Sequence, residues 1–235
     1  AGGMSLLPAM KLRLAAYSDL INIKKIKGLS GIKVSSKSLR IGATVTHAEV
    51  SSSKEVGKSI PSLAVLAEGI GDPQVRNRGT MGGSIANNDP AADYPSACLA
   101  LNAIIHTSKR KIPADKFFKG MFETDLKKGE LIESIEFEVP EKSAYAKFPN
   151  PASRYAIVGV YVAKLKKEVR VAVTGAASSV FRSSEIESAL SSNFSPAAID
   201  KVNISNKNLN SDIHASAEYR AHIIKVMAKK AVSSC

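Results

Sequence analysis

Two short glycine-rich stretches hold the residues best suited to chemistry. The first is Ala1-Gly2-Gly3-Met4-Ser5-Leu6-Leu7-Pro8. Adjacent glycines let a phosphate approach the backbone with no Cβ in the way. A helix start follows, where free N–H groups and the positive end of the peptide dipoles favour an anion. Ser5 can offer its hydroxyl to the same anion or cap the helix. Alone, Gly-Gly before a helix is more often a turn. The second stretch runs from Gly71 to Asp93 and sets Gly82-Gly83 between the hydroxyls of Thr80 and Ser84. It is not a Walker loop, lacking Gly-Lys-Ser/Thr. Nor is it a dinucleotide fingerprint, because Gly79, Gly82 and Gly83 do not follow Gly-x-Gly-x-x-Gly. A pair of such clamps suits one extended, doubly phosphorylated ligand. Arg76 and Arg78 either orient this loop and neutralise charge or pair with nearby carboxylates.

The elements that must position these loops follow from hydrophobic periodicity. Ser5 to Ala15 reads as a short helix, and the chain is extended around 20–23. Ile32–Val34 and Leu39–Val45 alternate apolar and polar residues, a hairpin with Ser35 to Ser38 as its turn. Thr46 opens a helix with Glu49 in the capping-box position. A second helix spans 60–70, with Pro61 in its first turn and Leu63, Leu66, Ala67 and Ile70 on one face. Residues 71–95, dense in glycine and proline, read as a long shaped loop without regular structure. A helix from Pro95 to Ala103 follows. Strands are expected at Leu131–Val139 and Val169–Thr174, and the polar, proline-bearing stretch 141–151 holds a domain boundary. Helices at 182–191 and 196–202 precede a final helix, Ala217–Val232, with Ala217, Ala221, Ile224, Ala228 and Ala231 along one face. The fold class is α+β, in two compact parts.

Composition narrows the function. The 235 residues are 44% hydrophobic and 23% charged, the balance of a globular protein rather than a disordered one. No apolar run approaches the ~18 residues of a membrane helix. The first residues do not resemble a signal peptide, and the missing initiator methionine reads as an interior start. Cys98 and Cys235 are too few for a disulfide framework or for the thiolates of an iron–sulfur cluster. A reducing, cytoplasmic compartment is expected, with any metal centre on another chain. His47, His106, His214 and His222 show no metal-ligand spacing. The net charge of +12 and pI near 9.7 would suit nucleic acid, the inner face of a membrane or an acidic partner. The basic residues are scattered, however, and the aromatics do not interleave with them as a nucleic-acid platform requires. A solvated basic surface is the simpler reading. No nucleophile–histidine–carboxylate set is present.

Residues 1–8, Arg76-Asn77-Arg78-Gly79-Thr80-Met81-Gly82-Gly83-Ser84-Ile85-Ala86, Asp89 to Pro95, Asn150 to Val160 and Ser216 to Arg220 together resemble one family. It is the molybdopterin dehydrogenase FAD-binding family: the medium subunits of aerobic carbon monoxide dehydrogenases and the middle portion of xanthine dehydrogenases. The resemblance covers essentially the whole chain. It implies an FAD-binding domain of the PCMH/vanillyl-alcohol-oxidase type over 1–140, with 1–23 the remnant of a first subdomain and 24–140 the second. A smaller α+β C-terminal domain would occupy 145–235. In the family a strand, a helix and a second strand precede the first glycine loop and aim it; they are not in this sequence.

The resemblance also implies roles. Ala1, Gly2, Gly3, Met4, Ser5 and Leu6 would meet the FAD pyrophosphate from one side. Arg78, Gly79, Thr80, Met81, Gly82, Gly83, Ser84 and Asn88 would hold it and the ribityl chain from the other. Asp93 would accept a hydrogen bond from a ribityl or ribose hydroxyl, or simply cap the next helix. Tyr145 and Lys147 fall where family members bring an aromatic and a basic residue near the isoalloxazine ring; surface exposure is the plainer alternative. The partners implied are a large molybdenum–pterin subunit and a small subunit carrying 2Fe-2S clusters, in a paired heterotrimer. Electrons would pass through this subunit to a quinone, a cytochrome or NAD. The alternatives are the FAD subunit of a xanthine-, nicotinate- or aromatic-substrate molybdenum dehydrogenase, or a nucleic-acid-binding or purely structural domain without flavin.

Overall fold

A computed structural model describes residues 1–235. The first helix, α1 (Leu6–Lys11), buries no side chain and gives way at Arg13, whose φ is +57°. It is shorter than the expected 5–15. Ser5 stands at its N-cap in helical conformation and makes no side-chain cap bond, so its capping role is not realised. Strands β1 (Ile32–Val34) and β2 (Ser38–Gly42) form the expected hairpin. β2 ends at Gly42 rather than Val45 because the next residues turn away, with the Thr44 amide bonded to the Leu29 carbonyl at 2.9 Å.

Thr46 caps α2 (His47–Ser52) through a complete capping box: its Oγ1 accepts from the Glu49 amide at 3.2 Å, and its own amide donates to Glu49 Oε2 at 2.7 Å. A helix the periodicity did not reveal, α3 (Lys54–Ser59), follows with Ser53 as its cap. In α4 (Pro61–Glu68) Leu63, Leu66 and Ala67 are buried as expected.

The stretch 71–95 is where expectation and structure part. It contains α5 (Pro73–Arg78), α6 (Met81–Asn87) and the start of α7 (Tyr94–Ala100). Pro73 occupies the first turn, where its missing N–H and fixed φ suit a helix, and Asp72 Oδ1 accepts from the Val75 amide at 2.8 Å. Gly82 is helical for a tertiary reason that outweighs its poor propensity. A Cβ there would lie 2.5 Å from that of Ala43, so only glycine lets α6 approach the corner after β2.

Next come β3 (Ile104–Thr107), β4 (Lys111–Pro113), α8 (Ala114–Phe117), β5 (Phe118–Gly120), β6 (Glu123–Thr124) and β7 (Ile132–Glu138). The first sheet is antiparallel throughout, in the order β1-β2-β7-β3-β4. Ile41 and Ile105 both pair with Ile135, and Leu39 pairs with Phe137. These side chains share one face and belong to the same core as the buried residues of α4, α6 and α7.

The remaining elements are β8 (Lys142–Pro149), β9 (Ala156–Lys164), β10 (Val169–Thr174), β11 (Phe181–Arg182), α9 (Ser184–Ser192) and α10 (Ala217–Ser233); 196–199 is only a 3-10 turn. The second sheet runs β11-β10-β9-β8. Val158, Val160 and Val162 of β9, with Val169, Val171 and Val173 of β10, form a core with α9 and α10. Tyr161, Ala163 and Ala172, on the opposite face, belong to the core of the N-terminal part. With both faces covered, every residue of β10 is buried.

The same geometry explains β8, a regular strand that runs through the polar stretch 141–151 where a domain boundary is expected. Its Ala144 and Ala146 face α10, while Ser143, Tyr145 and Lys147 alternate toward the N-terminal part. In α10 the buried face is Arg220, Ile223, Ile224, Met227, Ala228, Ala231 and Val232, which shifts the expected stripe and admits an arginine. Arg220 Nη1 donates to the carbonyls of Ile157 (2.6 Å) and Gly175 (3.0 Å), and Nη2 to Asp212 Oδ2 (2.7 Å). No helix is long and apolar enough to cross a membrane.

Gly175 closes β10 with φ +79°, and a Cβ on it would lie 2.3 Å from the Ala156 carbonyl oxygen. Gly175→Ala should lower the free energy of unfolding by about 2 kcal/mol. A urea midpoint equal to that of the parent chain would show that the turn is not held in this conformation.

Candidate functional site

The two glycine loops meet. Gly2 is buried, and a Cβ on it would lie 1.8 Å from the Arg78 carbonyl oxygen, so the first loop is laid directly on the backbone of the second. Gly3 adopts φ +76°, which turns the chain into α1. The second loop is in turn fastened to the corner between β2 and α2. The His47 amide donates to the Gly79 carbonyl, the Met81 amide to Val45 and the Gly82 amide to Ala43, each at 3.0 Å. Thr80 caps α6, its Oγ1 accepting from the Gly83 amide at 3.2 Å.

Between the loops lies a cleft of about 1320 Å³. That is larger than the ~300–1,000 Å³ of common small-ligand pockets, and suits an elongated molecule. Of the residues expected at the site, Ala1, Gly2, Gly3, Met4, Ser5 and Leu6 line one wall. Arg78, Gly79, Thr80, Gly83, Ser84 and Asp93 line the other. A Cβ on Gly83 would lie 2.8 Å from Thr80 Oγ1 and 3.2 Å from Ala1 Cβ, so the gap stays open for want of a side chain. This cradle fits the pyrophosphate of a dinucleotide-like cofactor, to which peptide N–H groups can come close.

The other expected residues stand behind the walls. Met81 is fully buried in the core, and Gly82 is packed on Ala43. Asn88, in left-handed conformation at the end of α6, donates from Nδ2 to the carbonyls of Gly120 and Glu123, both at 2.8 Å. It thereby fixes the β5–β6 turn, whose Phe122 reaches the cleft. Arg76 pairs with no carboxylate; Nη1 donates to the carbonyls of Ile70 (3.1 Å) and Gly71 (3.0 Å), and so orients the loop.

Asp93 is buried at the start of α7 and makes no side-chain cap bond, which sets aside the capping alternative. Its Oδ1 instead accepts from the Tyr145 hydroxyl and forms an ion pair with Lys147 Nζ at 3.0 Å. Lys147 Nζ also donates to the Gly69 carbonyl at 2.7 Å. The resemblance placed Tyr145 and Lys147 at a flavin ring; here both side chains reach Asp93, and neither lines the cleft. Burial raises the Asp93 carboxyl above its ordinary value, opposed by the Lys147 charge and the Tyr145 hydrogen bond. Burial, the Asp93 charge and the hydrogen bond to it together push the Tyr145 phenol well up.

Residues not singled out from the sequence also line the cleft, among them His47, Asp89, Arg154 and Tyr155. Tyr155 was within reach, because it lies inside the motif at 150–160. His47 carried no such signal: as the first residue of a capped helix it looks like any solvated helix start. Its Nδ1 is buried without a partner, and its ring centroid lies 5.3 Å from that of Tyr94.

Comparison with known proteins agrees with this geometry. Residues 1–141 match the family described as the FAD binding domain in molybdopterin dehydrogenase. Residues 143–235 match the CO dehydrogenase flavoprotein C-terminal domain. The glyceraldehyde dehydrogenase medium chain of Sulfolobus acidocaldarius is 36% identical, over 98% of this chain and 88% of its own length. The carbon monoxide dehydrogenase medium chain of Hydrogenophaga pseudoflava is 34% identical, over 100% and 87%. Among solved structures, carbon monoxide dehydrogenase from the same organism superposes with a TM-score of 0.87 at 33% identity, covering 99% of this chain and 87% of that one. The reconstituted CO dehydrogenase of Oligotropha carboxidovorans gives 0.90 at 28%, again covering 99% and 87%.

Burial, helped by the Arg76 charge, lowers His47 from 6.5 to about 4. The unfolded chain therefore takes up this proton before the folded one does. The contribution of the neutral imidazole is full above about pH 6.5 and is lost as pH falls toward 4, on the order of 3 kcal/mol in all. His47→Gln should flatten that part of the stability–pH curve. Parallel urea-unfolding curves for parent and variant from pH 7 to 4 would contradict it.

Proposed function

Because this chain belongs to the molybdopterin dehydrogenase FAD-binding family, as the FAD-binding medium subunit of a molybdenum hydroxylase, we propose that it is the electron-transfer subunit of such a complex. Substrate is oxidised at a molybdenum–pterin centre on a large partner. Electrons cross 2Fe-2S clusters on a small partner, reach this chain, and leave to an external quinone, cytochrome or NAD. The assembly is a paired heterotrimer, most like carbon monoxide dehydrogenase. Relatives named for glyceraldehyde, nicotine and carbon monoxide match nearly the whole chain. That spread of names supports a substrate pocket on another subunit. A cytoplasmic setting suits the free thiols Cys98 and Cys235.

The observation that carries this reading is the apposition of the two glycine loops across one cleft. Bound FAD supplies the redox chemistry. This chain's residues bind and orient it. Gly2, Gly3 and Gly83 leave the backbone open to a pyrophosphate, with Ala1, Met4, Ser5 and Leu6 facing Arg78, Gly79, Thr80 and Ser84 across it. Met81 and Gly82 hold the second loop from behind, and Asn88 fixes the β5–β6 turn beside it. Asp93 offers its carboxylate to a sugar-type hydroxyl.

The chain mixed with FAD and desalted should keep the absorbance of oxidised flavin and lose it with dithionite. Gly83→Val should weaken retention about tenfold or more, the ~1.4 kcal/mol or more of a blocked cradle, with an unchanged circular dichroism spectrum. Equal affinity of parent and variant would move the flavin away from this cleft.

A further inference from the structure

The pair of side chains that binds Asp93 comes from across the seam between the two parts. Asp93 opens α7, whereas Tyr145 and Lys147 stand two residues apart on one face of β8. Their positions are themselves constrained. Tyr145 pairs with Tyr161 in the β8–β9 ladder, and Lys147 pairs with Gly159. A Cβ on Gly159 would lie 2.3 Å from the Tyr145 hydroxyl, so a side chain at 159 would displace the phenol from its place. Lys147 is held at its other contact by the Gly69 carbonyl at the end of α4, beside Ile70 and Gly71 of the cleft wall.

The Tyr145 hydrogen bond and the Lys147 ion pair fall on the same Asp93 oxygen, Oδ1, while the residue lines the cleft. A carboxylate with both protein donors on one oxygen keeps the other as a strong acceptor in a nearly dry site.

Resting on the FAD reading above, we propose that Tyr145 and Lys147 are positioning residues: they turn Asp93 so that Oδ2 meets a cofactor hydroxyl, and the C-terminal part thereby completes a site built by the N-terminal part. Neither side chain lines the cleft itself. Lys147 supplies the positive charge that lets a carboxylate remain ionised where burial opposes it. Tyr145 fixes the rotation.

A double-mutant cycle tests this, read as the FAD dissociation constant by quenching of flavin fluorescence. Lys147→Met and Asp93→Asn should each weaken binding about tenfold or more, as loss of a charge-assisted hydrogen bond does. The double variant should be no weaker than Asp93→Asn alone, because Lys147 then has nothing to act through. Lys147→Arg should recover most of the affinity, a rescue that a purely packing role would not produce. If Lys147→Met does not fold, Tyr145→Phe in the parent and Asp93→Asn backgrounds gives the same comparison with a smaller change. Losses that add in the double variant, or an unchanged affinity in Lys147→Met or Tyr145→Phe, would overturn the positioning role and leave the flavin reading intact. A parent chain that retains no FAD would overturn both.

Discussion

The second sheet has no free face, and the rest of the molecule is arranged around that fact. Its valines face α9 and α10, and its Tyr161, Ala163 and Ala172 face the N-terminal core. The contact is polar as well as apolar. Ser62 of α4 bonds Tyr161 and Ser143 at 2.5 and 2.6 Å. Arg170 of β10, almost wholly buried, reaches the Asp115 carboxylate and Asn102. Thr174 Oγ1 and the Gly175 amide donate to the Ala92 and Pro90 carbonyls at 2.6 and 2.9 Å. Those last bonds fix Pro90 and Ala92, just ahead of Asp93. The cleft wall is therefore set by a strand outside the FAD-binding region, and the two family-matched regions cannot shift against each other without breaking buried hydrogen bonds.

Such a seam is not a cheap way to gain stability. A buried ion pair loses nearly as much in desolvation as it gains in attraction, and its removal on one side only leaves an uncompensated charge. What the buried pair Lys147–Asp93 and the buried Arg170 with its exposed partner Asp115 do supply is register: each ties a strand of the second sheet to one residue of the first part. The net charge of +12 lies mostly elsewhere, on exposed lysines that take no part in the site.

Much of this was legible in the chain. The alternation at 32–45, the Thr46–Glu49 capping box and the stripe Leu63, Leu66, Ala67 are local signals, and each element formed within its pattern, β2 stopping at Gly42. The glycine loops were legible for the same reason, since a close backbone approach needs glycine wherever it occurs. The failures share a cause too. Gly82 reads as a loop residue until Ala43 is seen pressed on it, and β8 reads as a polar boundary stretch until both its faces have neighbours. Arg220 breaks the apolar pattern of α10 because its partners are the carbonyls of Ile157 and Gly175, far off in sequence. Tyr145 and Lys147 carried a family signal for the site but not for their partner, which only the seam discloses.

The Arg220 clamp bears on how the chain must be made. α10 lies downstream of every strand it covers, and its arginine is the donor for carbonyls at Ile157 and Gly175. While the polypeptide is growing, the row of valines on β9 and β10 therefore emerges well before its cover. During that interval an apolar sheet face is bare to solvent, to other nascent chains and to chaperones. The order of elements along the chain thus leaves the part of that face covered by α10 open until the last helix has been made, although α9 follows soon after β10.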